Sequence, residues 1–336
     1  MIRISLCMIV KNEEKILKRC LDSVVDLMDE LIIVDTGSTD RTKEIAASYP
    51  GAKIYDFTWI GDFAAARNFA FSKATGDYIY SADADEVLDE ENRERFRILK
   101  EAMLPEIEIV QMKYANQLSF GTVYNFDEEY RPKLFKRVRN FIWEGAVHET
   151  ILTTPVIYDS DIVILHMPEN MHASRDFEIF EKLYKKGEGI SKRLRTMYAK
   201  ELFIAGEDED FLRAGDCFLE AAVNPAGDAE EVKEANLVVA AASRIAGKTE
   251  DFFKYAMKVV ADNACSEICC ELGDFYYEKG DFEEAVIWYY NAHYETEPML
   301  CVRMAEREPL EKLICCYEKL GNFEEALLYR QELERI

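Results

Sequence analysis

Three acids close a short apolar run at Asp77-Tyr78-Ile79-Tyr80-Ser81-Ala82-Asp83-Ala84-Asp85-Glu86. The Gly76-Asp77 turn and the alternating aromatic and β-branched residues predict a buried strand, so the acids emerge at the edge of a sheet. In an open α/β sheet that edge is where ligands bind. Two carboxylates one residue apart, with small Ala84 between them, suit a hard divalent cation that keeps part of its water shell while gripping a diphosphate. The plainer reading is an acidic strand-to-helix turn, with Asp85 or Asp89 capping a helix that begins near Glu90.

The elements upstream supply company for these acids. Residues 3–10 form a near-continuous apolar run, as expected of a strand buried on both faces, and Lys11-Asn12-Glu13-Glu14 follows it. Ile16, Leu17, Cys20, Leu21, Val24 and Val25 then recur at helical spacing. A second strand, 30–35, ends in Asp35-Thr36-Gly37-Ser38-Thr39-Asp40, where Gly37 permits a tight turn and Ser38 or Thr39 is expected to cap a helix running to about Ser48. A third strand, 52–57, leads to a helix that Asp62 can cap and Gly76 is expected to close. Four strands separated by three helices specify a doubly wound α/β domain whose strand ends gather Asn12, Glu13, Asp35, Arg67, Asp83 and Asp85 along one crevice.

In Val10-Lys11-Asn12-Glu13-Glu14, Ile32-Ile33-Val34-Asp35-Thr36-Gly37-Ser38-Thr39-Asp40, Ala66-Arg67-Asn68 and Asp83-Ala84-Asp85, the sequence resembles the family 2 glycosyltransferases with a GT-A fold. The resemblance covers roughly residues 3–170. It implies a mixed GT-A sheet and a nucleotide-diphosphate sugar, UDP-linked in the first instance, as donor. It further implies that Val10, Asn12, Glu13, Asp35, Arg67, Asp83 and Ala84 line the nucleotide-sugar site, with Asp35 and Arg67 on base and sugar and Asp83 near the ribose. Asp85 is implied to bind a divalent metal, Mn or Mg. Each has a structural alternative: Asp35 can simply cap a helix, and Arg67 can simply pair with Asp62 on its own helix.

Downstream, 91–102 reads as a surface helix and 106–117 as a strand. Residues 118–132, with Phe120, Tyr124, Phe126 and Tyr130, read as a mobile or acceptor-facing connection. Arg131-Pro132-Lys133-Leu134-Phe135-Lys136-Arg137 is a basic cluster that suits either a solvated edge strand or a face toward an anionic ligand. Trp143-Glu144-Gly145-Ala146-Val147-His148-Glu149 looks like the acceptor-side WxGxVHE segment of the same transferases. Inverting transfer needs a base for the acceptor proton, and Glu149, then His148, then Glu144 are the candidates. His148 could instead make only a structural hydrogen bond beside Trp143. His166 closes a strand and can join Asp85 at the metal; His172 belongs to a linker.

From about Arg175 long helical patterns take over. Cys269, Leu272, Gly273, Tyr276, Gly280, Phe282, Ala285 and Tyr289 match tetratricopeptide spacing, repeated through Leu310, Leu313, Tyr317, Gly321, Phe323 and Ala326, with weaker copies around Phe211 and Phe253. The expected organisation is a GT-A domain over 1–172 and an all-α tetratricopeptide-like domain over 173–336, whose concave face holds an acceptor or partner or pairs two protomers. Nine cysteines without CxxC spacing read as buried thiols. A formal charge of −24 over 336 residues argues against nucleic acid or an anionic membrane as partner. The longest apolar runs are too short to span a bilayer and no signal peptide is evident, so a cytoplasmic location is expected. The acceptor class expected is a protein, peptide or glycan. Two rival readings are a nucleotidyltransferase, which would need a glycine-rich loop after the first strand, and a non-catalytic scaffold.

Overall fold

The computed structural model describes residues 2–115, 129–168, 173–187, 190–224 and 227–336. The chain divides into two compact units, Met1–His172 and Ala173–Ile336. The first unit runs β1 (Ile4–Val10), α1 (Leu17–Val24), β2 (Glu30–Asp35), α2 (Thr42–Ala47), β3 (Lys53–Asp56), α3 (Phe63–Phe71), β4 (Tyr78–Ala82), β5 (Glu86–Val87), α4 (Glu90–Ala102), β6 (Ile109–Ala115), β7 (Glu129–Lys136), β8 (Trp143–Glu144), β9 (Thr150–Ile151) and β10 (Ile157–His166).

Eight strands form one mixed sheet in the order β3-β2-β1-β4-β7-β6-β10-β5. The first four are parallel, β7 runs antiparallel to both β4 and β6, and β10 is parallel to β6. Alternation along β1 divides the core. Leu6 and Met8 face one side with Leu17, Cys20, Leu21 and Phe96, while Cys7 faces the other with Ala64, Ala70, Phe71, Phe135 and Trp143. Helices therefore cover both faces, which is why β1 and β2 read as continuous apolar runs rather than alternating ones.

Several local expectations change. Asp62 caps α3 by accepting from the Ala65 N–H at 2.9 Å, and Asp89, not Asp85, caps α4 through Asn92. The turn before α2 is organised by Asp40, which accepts from the Thr42 backbone and hydroxyl; Ser38 instead accepts from the Asn12 N–H. Gly76 lies beyond the end of α3 and does not close it. A Cβ there would stand 2.8 Å from the Arg3 carbonyl oxygen, so glycine is needed for close approach of the two backbones. The edge-strand reading of the basic cluster is overturned: β7 is hydrogen-bonded on both sides, and Lys133, Leu134 and Phe135 are buried. The part of the acceptor-facing connection at 118–128, and His172, lie outside the described residues.

The second unit contains, among the described residues, helices α5 (Ala173–Lys185), α6 (Lys192–Ala205), α7 (Asp208–Ala222), α8 (Ala229–Ile245), α9 (Thr249–Ala261), α10 (Ser266–Lys279), α11 (Phe282–Tyr294), α12 (Arg307–Lys319) and α13 (Phe323–Leu333). Helix α8 packs against α7 and α9 and is buried continuously from Glu234 to Ser243. The pairs α10–α11 and α12–α13 are the two repeats with the strongest sequence signal. Gly280 and Gly321 turn each pair with positive φ, and Gly273 makes room for Tyr289, whose ring would lie 2.5 Å from a Cβ at that position. All nine cysteines are free thiols; eight are buried as expected, and Cys315 is exposed. Among the described residues no helix is long and apolar enough to cross a membrane.

Candidate active site

The site grows from the carboxyl ends of β1, β2 and β4. Register pairs Val10 with Asp35 and Met8 with Ala82, so the loops after all three strands open at one edge. Two of these loops are stitched together. Asn12, in the left-handed region at φ 58°, accepts through Oδ1 from the Thr39 N–H at 2.8 Å, and the Glu13 N–H donates to Thr42 Oγ1 at 2.7 Å. Gly37, at φ 107°, lets the second loop curl over Asp35. Asp35 Oδ2 accepts from the N–H groups of Gly37 and Ser38, each at 3.0 Å. Its Oδ1 is buried with no hydrogen-bond partner among the described residues.

Arg67 projects from α3 into the centre. Its Nε donates to Glu149 Oε1 at 2.7 Å, Nη1 to Ser81 Oγ at 2.8 Å and Nη2 to Asp83 Oδ1 at 3.4 Å. The guanidinium lies 4.9 Å from the Trp143 ring centroid. It does not merely pair with Asp62 on its own helix. Asn68, the next residue, clamps the β8–β9 hairpin: its Nδ2 donates to the Trp143 carbonyl and its Oδ1 accepts from the Trp143 N–H, both at 2.9 Å. The short Arg67-Asn68 segment thus delivers a cation to the crevice and fixes the hairpin that carries Glu149. Gly145 at φ 106° and His148 at φ 48° make the sharp path of that hairpin possible, and a non-glycine residue in the left-handed region stores strain.

The acids that close β4 diverge. Asp83 faces Arg67, with Lys133 Nζ 3.9 Å from its Oδ2. Burial works against its charge, but Arg67, Lys133 and Arg131 outweigh that and hold its carboxyl down to about 2. Asp85 turns to His166, with Oδ2 3.2 Å from Nε2, and its Oδ1 is buried without a partner among the described residues. The juxtaposition is built by pairing of β5 with β10, which sets His166 opposite Glu86, and by the Met167 N–H donating to the Asp85 carbonyl at 2.8 Å. Glu86 points inward and pairs with Lys133. Burial pushes its carboxyl up to about 7, against the pull of Lys133 and with the help of Asp83 and Asp85.

Of the residues expected at the site, Asp35, Arg67, Asp83, Asp85, Glu149 and His166 present polar groups along this edge, and Asn12 shapes it. Val10 and Ala84 do not present side chains there: both pack into the core, and the Val10 carbonyl accepts from the Thr36 N–H and hydroxyl. Glu144 is exposed. Ser81 and Glu86 join the site without having been singled out for it, and Lys133, expected only within the basic cluster on a solvated edge or toward an anionic ligand, is buried beside Glu86. The available signal for Lys133 was a lysine next to Leu134-Phe135 within a strand. Its interior position depends on β7 lying between β4 and β6, which no local pattern specifies.

One carboxylate with an unpartnered buried oxygen, beside one imidazole, fits an ion that takes its remaining ligands from a diphosphate and water. Among the described residues no group of three or more protein ligands is assembled.

A mixed sheet that gathers acids and an arginine at its strand ends forms the crevice at which open α/β domains bind ligands. Residues 5–151, which lie within the first unit, match the model of Glycosyl transferase family 2, and the helix pairs of the second unit resemble TPR repeats. The chain is 56% identical over 88 residues, 26% of its length and 22% of the relative's, to a TPR repeat-containing protein of Synechococcus elongatus. It is 33% identical over 142 residues, 42% of its length and 33% of the relative's, to the prophage-derived glycosyltransferase SunS of Bacillus subtilis. The chain thus spans about a fifth to a third of the length of these curated relatives. A solved structure of glucosyl-3-phosphoglycerate synthase from Mycobacterium tuberculosis, in complex with Mn2+, UDP and phosphoglyceric acid, aligns with a TM-score of 0.41 and 17% identity over 55% of this chain and 78% of that one.

Proposed function

We propose that the protein is a metal-dependent, inverting glycosyltransferase that moves a sugar from a nucleotide-diphosphate donor, UDP-linked in the first instance, to a protein, peptide or glycan acceptor. The observation that carries this reading is that the two carboxylates Asp35 and Asp85, which face the sheet edge, each leave a buried oxygen, Oδ1, without a partner among the described residues. A buried polar atom without a partner costs about 1–3 kcal/mol, a cost that a ligand meeting it would remove. On this reading Asp35 accepts from the base, and Arg67 and Asp83 meet the sugar and ribose. Asp85 and His166 would hold a divalent cation, which offsets charge growing on the leaving diphosphate.

Transfer is a single displacement. The acceptor nucleophile forms a bond to the anomeric carbon as the bond from that carbon to the diphosphate oxygen breaks, the electron pair leaving with the nucleoside diphosphate. Glu149 takes the acceptor proton, with His148 as the second candidate. Since Glu149 Oε1 is engaged by Arg67, Oε2 is the oxygen assigned to that proton. Arg67 fixes the orientation of the Glu149 carboxylate through that hydrogen bond. The helical repeats are assigned to acceptor or partner binding, including a second protomer, in keeping with the surfaces that stacked repeats offer.

The test is release of nucleoside diphosphate from a panel of UDP- and GDP-sugars, with and without Mn2+. Release that depends on the metal and drops by at least 10²-fold in Glu149→Gln is expected. Equal silence in wild type and variant across the panel would return the protein to the scaffold reading.

A further inference from the structure

Lys133 has no part in the donor chemistry above, on whose reading of the site this inference rests. It is 4% exposed on an interior strand, where an ammonium is costly unless paired. Its surroundings indicate what that burial maintains. Nζ pairs with Glu86, donates to the Ser81 carbonyl at 3.4 Å, stands 3.9 Å from Asp83 Oδ2 and lies 5.3 Å from the Tyr114 ring centroid. These contacts straddle the end of β4 and the turn after it. In that turn the acids face three ways: Asp83 to Arg67, Asp85 to His166 and Glu86 inward to Lys133.

We propose that Lys133 is a positioning residue: by drawing Glu86 into the sheet and holding the Ser81 carbonyl, it sets the rotation of the turn that presents Asp85 beside His166 and Asp83 to the crevice. Lys133 touches neither donor nor metal in this role. A simple charge effect predicts the opposite outcome for the metal, because removing a nearby cation should make a divalent ion bind more tightly. Loss of positioning makes it bind more weakly, as loss of outer-shell partners characteristically does.

The experiment uses full-length protein and the variants K133M, E86Q and E86Q/K133M. Mn2+ binding is read by electron paramagnetic resonance at saturating UDP, alongside thermal unfolding. K133M alone leaves Glu86 buried and unpaired and should melt earlier; the double variant, neutral at both positions, should regain the transition. The expected result is that the refolded double variant binds Mn2+ about 10–100-fold more weakly than wild type. Wild-type or tighter Mn2+ affinity in that variant would overturn the proposal. E86Q keeps an acceptor for Lys133 and so should retain wild-type affinity. A tenfold loss there would also overturn the proposal, by assigning the effect to the Glu86 charge, and this arm decides the matter if the double variant does not fold. Wild-type protein that binds no Mn2+ with UDP would instead remove the donor-site reading itself.

Discussion

The Arg67–Glu149 contact offers a quantitative check on the centre of the site. Arg67 and Glu149 side chains are 12% and 11% exposed, whereas Asp83 is 39% exposed and keeps Lys133 nearby. Arg67→Met therefore leaves its deficit chiefly on Glu149. Breaking a buried pair costs about 3–5 kcal/mol, and the lower figure applies because one of the two carboxylates has water and a second cation. Glu149→Gln leaves Arg67 with Ser81 and Asp83 and should cost only about 1–2 kcal/mol. The double variant has no unpaired charge at this contact and should lie about 2 kcal/mol below wild type, giving a coupling energy of about 2 kcal/mol. In a domain of this size Arg67→Met should lower the melting temperature by about 6–12 °C. Urea unfolding followed by tryptophan fluorescence reads the cycle, since Trp59 and Trp143 both lie in the first unit. A coupling below about 0.5 kcal/mol, the value of a solvated surface pair, would refute the claim that Arg67 and Glu149 act as one buried group.

Further outcomes concern stability and the repeats. Burial opposes ionisation of Glu30, but hydrogen bonds from Lys53, Ser5 and Thr75 outweigh it and hold its carboxyl down from 4.5 to about 2. A depressed carboxyl contributes stability above its unfolded value, so its contribution, on the order of 3 kcal/mol, should disappear as pH falls from about 4.5 to about 2. Glu30→Gln should flatten that limb of the stability–pH curve; an unchanged acid limb would count against the account. Gly273→Ala places a methyl group against the Tyr289 ring and should destabilise the second unit by about 1–3 kcal/mol while leaving UDP affinity unchanged. A melting curve identical to wild type would show that Tyr289 moves aside at no cost.

The parts of this molecule legible in sequence are those encoded by local pattern. The buried runs of β1 and β2, the Asp62 cap, the helical periodicity of α1 and the repeat spacing around Gly273 and Gly280 each follow from neighbours a few residues away. That Asp35, Arg67, Asp83 and Asp85 gather at one sheet edge was legible for a related reason: Asp35 closes β2, Asp83 and Asp85 follow β4, Arg67 lies on α3, and the fold rule sends such positions to one edge. What escaped was fixed by pairing over long separations. Lys133 became interior because β7 inserts antiparallel between β4 and β6, and Glu86 became its buried partner only through that arrangement. The Arg67–Glu149 contact spans 82 residues and depends on Asn68 holding the hairpin. Gly76 was misread because a close backbone approach and a helix stop carry the same residue.

On the proposed function, Asp35 and Asp85 terminate a donor site for a nucleotide diphosphate and its metal. Titration calorimetry of UDP into wild-type protein and Asp85→Ala, each with and without Mn2+, tests it most directly. Mn2+-dependent UDP binding by wild type and a loss of at least tenfold in Asp85→Ala are expected, with little difference between the two proteins when the metal is withheld. UDP binding that is indifferent both to Mn2+ and to Asp85, or no binding of UDP or GDP at all, would contradict it.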